Sequence, residues 1–254
     1  MTIGPLADVN AVDKREPLSK VLGWMRGETD RRPVIMDGRS PYAIVNARLL
    51  MGRGIHDRTG LHKVAQPVPV LNEDDDLYLA TEAFADSLVP YLPIADGRGR
   101  LAGCLPAETC LADLAAGPLV KGAALSELHV RDTDHVDDAM HTFAKALESQ
   151  LPVLGENGRI VGVLDRAVVF RLHDFGEQPR GRKDFGGDRL DLRENLVSDW
   201  MEAGWTTLPD SASFEDVQDA VQTSGYAFVQ DGSGRWIGTA TAPGMLRSVL
   251  QAVV

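Results

Sequence analysis

The chain has 254 residues and a formal net charge of −11 at pH 7, with 44% hydrophobic and 25% charged residues. This is the composition of a globular protein, long enough for one large domain or two ordinary ones. The acidic balance argues against broad nucleic-acid or membrane-surface binding, although it leaves room for a local basic pocket. The sequence contains neither a run of 18 apolar residues that would predict a transmembrane helix nor the pattern of a secretory signal.

Two cysteines, Cys104 and Cys110, are too few for a disulfide framework. Cys104 falls in a predicted strand and Cys110 on the helix after it. We therefore expect buried thiols and a cytoplasmic protein.

The first predicted unit spans about residues 7–57. Its apolar residues recur at helical spacing and predict a helix with one buried face: Leu18, Val21, Leu22 and Met25. An apolar strand follows at 33–36. The turn Asp37-Gly38-Arg39-Ser40 then leads to a second apolar strand at 42–45, and another helix begins after it.

The second unit spans about 64–117, after a short polar join at 58–63. Its helix is expected to begin after the acidic cluster Asn72–Asp76, because carboxylates suit the positive end of a helix dipole. This interpretation, a capped helix start, is preferred to a cation site. The turn Asp96-Gly97-Arg98-Gly99 again separates two apolar strands.

The third unit spans about 121–173 and contains a segment rich in His and Asp at 129–141. Asp137 and Asp138 precede His141 by one helical turn, so a metal pair is geometrically feasible. No cysteine joins them and no known ligand spacing appears. Since Val136, Met140 and other apolar residues account for the helix, no metal site is predicted.

Residues 174–195 are dominated by Gly, Arg and Asp, and they are predicted to form a flexible insertion. The fourth unit spans about 196–254. Its helix has Phe214, Val217 and Val221 on one face, and the turn Asp231-Gly232-Ser233-Gly234 lies between two apolar runs. Pro243 lies where the last helix would begin.

The four units form an internal repeat. Each has a small residue near the start of its third strand: Ala43, Gly103, Gly162 and Gly238. The intervals are 60, 59 and 76 residues, so the spacing is regular apart from one insertion. The predicted order within each unit is strand, helix, strand, strand, helix.

This repeat resembles the CBS domain, named from cystathionine β-synthase. The family pattern has a strand ending Pro-Val-Val-Asp, a Gly-containing turn and a segment Gly-h-h-Thr-x-x-Asp, where h is apolar; here the last segment is GTATAPG at 238–244. The resemblance implies an α/β fold of four βαββα repeats, paired as two modules that pack as a flat disc. The modules would be 1–119 and 120–254.

The resemblance also implies an adenine-nucleotide site between paired repeats. The fourth repeat keeps Gly238 and Thr241, has Gly244 in place of the acid, and has Thr207 at the first-strand position that faces ligand in the family. A Thr hydroxyl at a helix start lies beside free N–H groups that favour an anion. We prefer this pocket.

The third repeat differs more from the family pattern. It keeps the glycine, but has Asp165 at the hydroxyl position and His129 as the counterpart of Thr207. Asp165 would repel a phosphate unless Arg166 or a metal offset its charge. Tyr226, which opens the second strand of the fourth repeat, completes the candidate nucleotide-binding set.

The resemblance predicts a regulatory or sensory protein. AMP, ADP, ATP and S-adenosylmethionine are the candidate ligands, and an unidentified protein is the target. The alternative is a degenerate scaffold that uses its repeats only for dimerisation. An enzyme is not expected, because no nucleophile elbow, P-loop or metal motif occurs. The sequence does not choose between monomer and homodimer.

Overall fold

The computed structural model describes residues 3, 6–27, 32–51, 55, 57–112, 125–172 and 195–253. The predicted insertion at 174–195 lies, apart from Asn195, outside these residues. None of the helices in the described ranges is long and apolar enough to span a membrane.

The first half of the chain contains two units with the same order of elements. The first consists of β1 (Asn10–Asp13), α1 (Ser19–Gly27), β2 (Pro33–Asp37), β3 (Ser40–Val45) and α2 (Ala47–Met51). A short 3-10 turn and the extra strand β4 (Ala65–Pro67) lead into the second. It consists of β5 (Leu71–Asn72), α3 (Leu77–Ser87), β6 (Tyr91–Ala95), β7 (Leu101–Pro106) and α4 (Ala107–Ala112).

The second half repeats this order. The third unit consists of β8 (Val130–Arg131), α5 (Val136–Phe143), β9 (Gln150–Leu154), β10 (Ile160–Asp165) and α6 (Arg166–Leu172). After a 3-10 turn at Val197–Asp199, the fourth consists of β11 (Thr207–Pro209), α7 (Phe214–Ser224), β12 (Tyr226–Gln230), β13 (Trp236–Thr241) and α8 (Ala242–Val253). The predicted four βαββα repeats are confirmed.

Each repeat builds a small sheet in the same way. The first strand pairs in parallel with the second, and the second pairs antiparallel with the third. The connecting hairpin turns place a glycine at positive φ, which other residues rarely adopt: Gly38, Gly99, Gly158 and Gly234. The sequence predicts all four turns, the one in the third repeat as Gly155-Glu156-Asn157-Gly158. The strand β4, which extends the first sheet, is not predicted.

Helix boundaries follow local capping. Asp76 accepts a hydrogen bond from the backbone N–H of Leu79 and caps α3, as predicted for the acidic cluster. Ser213 and Asp216 form a reciprocal capping box at the start of α7, and Gly225 ends that helix at φ 80°. The predicted apolar face of α7 is buried.

Extended segments ahead of each repeat cross onto a neighbouring repeat. Ala7 pairs with Cys104 of β7, while β4 pairs with β3. In the second half, Ser126 pairs with Thr239 of β13, while Glu202 pairs with Val163 of β10. The exchange is reciprocal: the first and second repeats hold one another, and so do the third and fourth.

The helices join different pairs of repeats from those that the crossing segments join. One buried cluster joins the second and fourth repeats, where α3 and α4 pack on α8 and α7. Another joins the first and third repeats, where α1 packs on α6 and α2 on α5. Both cysteines are buried thiols, as expected, and neither is in a disulfide. The four repeats therefore surround a common centre.

Candidate functional site

A cavity of about 560 Å³ lies at this centre. All four repeats line it with the end of the third strand and the start of the following helix: Val45–Arg48, Pro106, Glu108, Thr109, Asp165–Ala167, Thr241 and Pro243. They also line it with the residues at or just before the second strand: Arg32, Pro33, Leu88–Tyr91, Ala146, Leu147, Ser149, Gln150 and Gln222–Gly225. Its volume falls in the range of small-molecule sites, which is about 300–1,000 Å³.

The lining is more basic than the rest of the protein. Three arginines, Arg32, Arg48 and Arg166, face two acids, Glu108 and Asp165. The chain as a whole carries a net charge of −11, so a net positive cavity is a local exception. Burial raises the pKa of Glu108, and the charge of Arg32 acts in the opposite direction.

Arg166 is fixed at one side of the cavity. Its guanidinium donates hydrogen bonds to the backbone carbonyls of Ala146, at 3.3 Å, and of Glu148. The guanidinium carbon lies 5.5 Å from the centre of the Phe143 ring, a cation–π arrangement. Burial lowers the pKa of Arg166 to about 10; the negative charges of Glu148 and Asp165 oppose this shift, and the positive charge of Arg48 adds to it. Arg166 remains positively charged at neutral pH.

Asp165 and Thr241 both serve as caps. The Asp165 carboxylate accepts a hydrogen bond of 2.6 Å from the N–H of Ala167 and one of 3.0 Å from the Gln150 side chain. The Thr241 hydroxyl, 5% exposed, accepts a bond of 3.3 Å from the N–H of Gly244. The hydroxyl proton of Thr241 remains a donor for a group in the cavity.

Several buried polar atoms near the cavity lack a partner among the described residues. Both carboxylate oxygens of Glu148, which is 2% exposed, have none. The Nε atoms of Arg48 and Arg166 are also buried without a hydrogen bond. Buried polar groups are normally hydrogen-bonded, so these atoms are typical of a place where a ligand or water binds.

The other four predicted site residues lie outside the cavity lining. Tyr226 is close to it, because it pairs with Thr241 across the sheet, and its ring centre is 4.5 Å from that of Phe228. Burial raises the pKa of Tyr226, and the charge of Asp165 adds to this. Thr207 pairs with Phe228 and Gly238 with Val229, further along the sheet.

His129 contacts the fourth repeat rather than the cavity. Its ring centre lies 5.1 Å from that of Trp236 in an edge-on arrangement, and its Nδ1 is 3.1 Å from the carbonyl oxygen of Glu127. The structure thus brings Asp165, Arg166, Thr241 and, next to them, Tyr226 together, and it separates them from His129, Thr207 and Gly238.

The glycines near the start of the third strand in the second, third and fourth repeats face protein, not open space. A Cβ atom on Gly238 would lie 2.6 Å from Cβ of Leu125, and one on Gly162 would lie 2.5 Å from Sδ of Met201. On Gly103 it would lie 2.9 Å from Cβ of Leu6. The family resemblance places this small residue in the nucleotide site. In the structure, the small residue makes room for the crossing segment of the neighbouring repeat.

The acidic segment 129–141 has ordinary helix contacts. The His141 ring nitrogen lies 2.8 Å from the carbonyl oxygen of Asp137 on the exposed face of α5. Across the ranges that the structure describes, no three or more His, Cys, Asp or Glu side chains are grouped closely enough to hold a metal ion.

Sequence reasoning missed Arg32, Arg48, Glu108 and Glu148. Arg48 gave no local signal, because α2 has only five residues and Arg48 lies in its last turn, where a positive side chain is favourable.

The chain is similar to known proteins in one repeat by sequence and in its whole fold by structure. A model of the CBS domain family matches residues 124–172, the third repeat. The chain is similar to the structure of MJ1225 from Methanocaldococcus jannaschii, a candidate archaeal homologue of γ-AMPK, with a TM-score of 0.75 and 15% identity over 95% of this chain and 96% of that one. It is also similar to an uncharacterised conserved protein from Pyrococcus horikoshii, with a TM-score of 0.57 and 15% identity over 88% and 92%.

No curated protein sequence matches the chain significantly. At 15% identity, the two structural likenesses establish the fold and not the ligand. They confirm the predicted α/β fold of paired repeats packed as a flat disc. The family match to the third repeat and the same βαββα order in all four repeats confirm the predicted resemblance to the CBS domain.

Proposed function

We propose that this chain is a regulatory protein of the cytoplasm that binds an adenine nucleotide, or a related adenosyl ligand, in its central cavity. The observation that carries the proposal is the net positive lining of this cavity in a protein of net charge −11. An excess of positive charge in a cavity attracts anionic ligands. The resemblance of the repeats to the CBS domain implies the same class of ligand, and the chain shares its fold with a candidate archaeal homologue of γ-AMPK.

The regulatory step follows from where the cavity lies. A ligand that contacts several repeats binds best when they adopt one arrangement, so it shifts the population towards that arrangement. A partner protein that recognises the same arrangement would then respond to the ligand. We propose no enzymatic activity for the chain.

Thr241 provides the test of the nucleotide site. We expect Thr241→Val to weaken AMP binding about 10- to 100-fold, since a hydrogen bond to a charged group contributes about 1.5–3 kcal/mol and 1.4 kcal/mol is tenfold. Thr241→Ser should keep most of the affinity. Isothermal titration of the wild type with AMP, ADP, ATP and S-adenosylmethionine identifies the ligand, and titration of both variants follows.

The control for this test is thermal stability. Thr241 caps α8, so Thr241→Val also lowers the melting temperature whether or not a ligand binds. If the valine variant melts lower but binds AMP as the wild type does, Thr241 is only a cap and the assignment is wrong.

A second candidate function is a scaffold that binds no nucleotide. The crossing segments favour it, because their side chains occupy the space beside three of the third-strand glycines. Less room for a ligand then remains between the paired sheets. The scaffold predicts no heat of binding with any of the four adenosyl ligands. Light scattering would then show whether the chain dimerises instead.

A further inference from the structure

The helix between the first and second strands begins differently in the second repeat from the third and fourth. The first residue of each of these helices is buried: Leu77 in α3, Val136 in α5 and Phe214 in α7. The next two residues are Asp137-Asp138 in α5 and Glu215-Asp216 in α7, which are acids that the helix dipole favours at this end. In α3, the same two positions hold Tyr78 and Leu79.

Tyr78 and Leu79 form an apolar pair on the surface. Their exposed fractions are 58% and 43%, the two highest among the large hydrophobic residues that the structure describes. Single exposed hydrophobic residues are common, but adjacent ones on an otherwise polar surface indicate an interaction site. The start of α3 does not need these two side chains, because Asp76 caps the helix through the backbone N–H of Leu79.

The chain segment around this pair is strongly acidic. Residues 73–86 include six acids and no lysine or arginine: Glu73, Asp74, Asp75, Asp76, Glu82 and Asp86. Glu82 and Asp86 follow Tyr78 at intervals of four residues, so all three lie on one face of α3. A hydrogen bond to Glu82 raises the pKa of the Tyr78 hydroxyl, so the ring and a carboxylate lie side by side. This face therefore complements a partner that is both basic and apolar.

We propose that the exposed face of α3 is a docking surface for a basic segment of a partner protein that carries large apolar side chains. The docking surface consists of Tyr78, Leu79, Glu82 and Asp86. Burial of the apolar pair supplies affinity, while the two carboxylates select a basic partner and speed the encounter. A second copy of the chain is a poorer match, because its net charge is −11.

The helix α3 connects the docking surface to the central cavity. It ends at Ser87, and the next residues, Leu88–Tyr91, line the cavity. It also packs on α8, where Arg247 donates hydrogen bonds of 2.8 and 3.1 Å to the carbonyl oxygen of Ala85. A partner on α3 is thus close to residues that a ligand in the cavity contacts. The docking surface goes beyond the proposed function, because it does not require that this ligand is a nucleotide.

The test measures fluorescence anisotropy of a labelled peptide with the full chain. The peptide is an amphipathic helix of leucine and lysine; a second peptide has glutamate in place of lysine, and a third has serine in place of leucine. The decisive variant is Tyr78→Glu with Leu79→Asp, which gives α3 the same two residue types as Glu215-Asp216 of α7. It removes the apolar pair and adds two negative charges, so apolar docking and simple charge attraction predict opposite results.

We expect the wild type to bind the leucine–lysine peptide more tightly than the other two peptides. Tyr78→Glu with Leu79→Asp should weaken this binding about 10- to 100-fold, the size of one or two decades that a buried large apolar side chain supplies. Glu82→Gln with Asp86→Asn should also weaken it, and salt should then have a smaller effect.

The matched control removes two acids from α7 by Glu215→Gln with Asp219→Asn. Both residues are exposed, and Asp219 is the counterpart of Glu82 in the fourth repeat. This variant should bind the peptide as the wild type does. Melting curves show which variants are folded. If Tyr78→Glu with Leu79→Asp does not fold, the charge variant of α3 and its control in α7 decide the question.

Four results would overturn the proposal. The wild type does not bind the leucine–lysine peptide, or Tyr78→Glu with Leu79→Asp binds it as tightly as the wild type or more tightly. The charge variant of α3 and its control in α7 bind the peptide equally. Light scattering shows a wild-type dimer that separates in Tyr78→Glu with Leu79→Asp, so a second copy covers the surface. None of these results bears on the proposed function, because no nucleotide takes part in the test.

Discussion

The glycine that recurs in the third strands has a packing role, as the missing Cβ atom of Gly238 shows. The family resemblance places Gly238 in a nucleotide site; in the structure, the space beside it holds Leu125. A Cβ atom there would lie 2.6 Å from Cβ of Leu125, a distance that side-chain rotation cannot relieve because both atoms are fixed by the backbone. The glycine is therefore required by the crossing segment itself.

We expect Gly238→Ala to lower the free energy of unfolding by about 1–3 kcal/mol, the usual cost of overpacking. Gly232→Ala is the control, because no atom lies within 4 Å of its Cβ position and its φ is not positive. That change should be neutral or slightly stabilising, by up to about 1 kcal/mol. Urea unfolding measures both. Equal effects of the two substitutions would contradict the packing role.

At the scale of the element, the hairpin turns are held by side chains as well as by glycine. Asp96 accepts hydrogen bonds from the backbone N–H groups of Arg98 and Arg100, and from the Arg100 guanidinium at 2.6 and 2.8 Å. The hydrogen bonds from the Arg100 side chain are the main reason that the pKa of Asp96 is lowered to about 2. The turn is thus a pH-sensitive element.

The direction of this pH dependence follows from the lowered pKa. The unfolded pKa of an aspartate is about 3.9, so the Asp96 carboxylate stabilises the folded state above that pH, and its contribution is lost as the pH falls towards 2. In Arg100→Gln, we expect the pKa of Asp96 to rise towards its ordinary value and this loss of stability to become smaller. NMR titration of the carboxyl group measures the pKa. An unchanged value in the variant would show that the backbone donors alone lower it.

At the scale of the whole molecule, sheets and helices connect different pairs of repeats. Crossing segments join the first repeat to the second and the third to the fourth. Helix packing joins the first to the third and the second to the fourth. The division into modules 1–119 and 120–254 remains a prediction, and the crossing segments support it.

Separate expression of the two modules tests this division. Each fragment would retain its reciprocal strand pairing but would expose the apolar helix faces that pack across the centre, and large exposed apolar patches drive association. We expect the mixed fragments to form a one-to-one complex in light scattering. Two fragments that stay monomeric and do not associate when mixed would contradict the arrangement.

The fold was predictable because its signals are local and occur four times. Acidic-Gly turns, helical spacing as in Phe214, Val217 and Val221, and caps such as Asp76 each act within a few residues. The cavity was only partly predictable. Thr241, Asp165 and Arg166 follow from the family pattern, but the proximity of Arg48 to Arg166 depends on helix packing between distant repeats, which no local pattern encodes.

The reciprocal crossing segments restrict how such a protein can be divided or duplicated. A lone first repeat would leave β3 without β4 at its edge, and a lone second repeat would leave Cys104 without the backbone of Ala7. Unpaired strand edges invite contacts with other chains. Two repeats are therefore the smallest unit in which these strand edges are paired. Gene duplication would yield a stably folded product only when it copies the repeats in pairs.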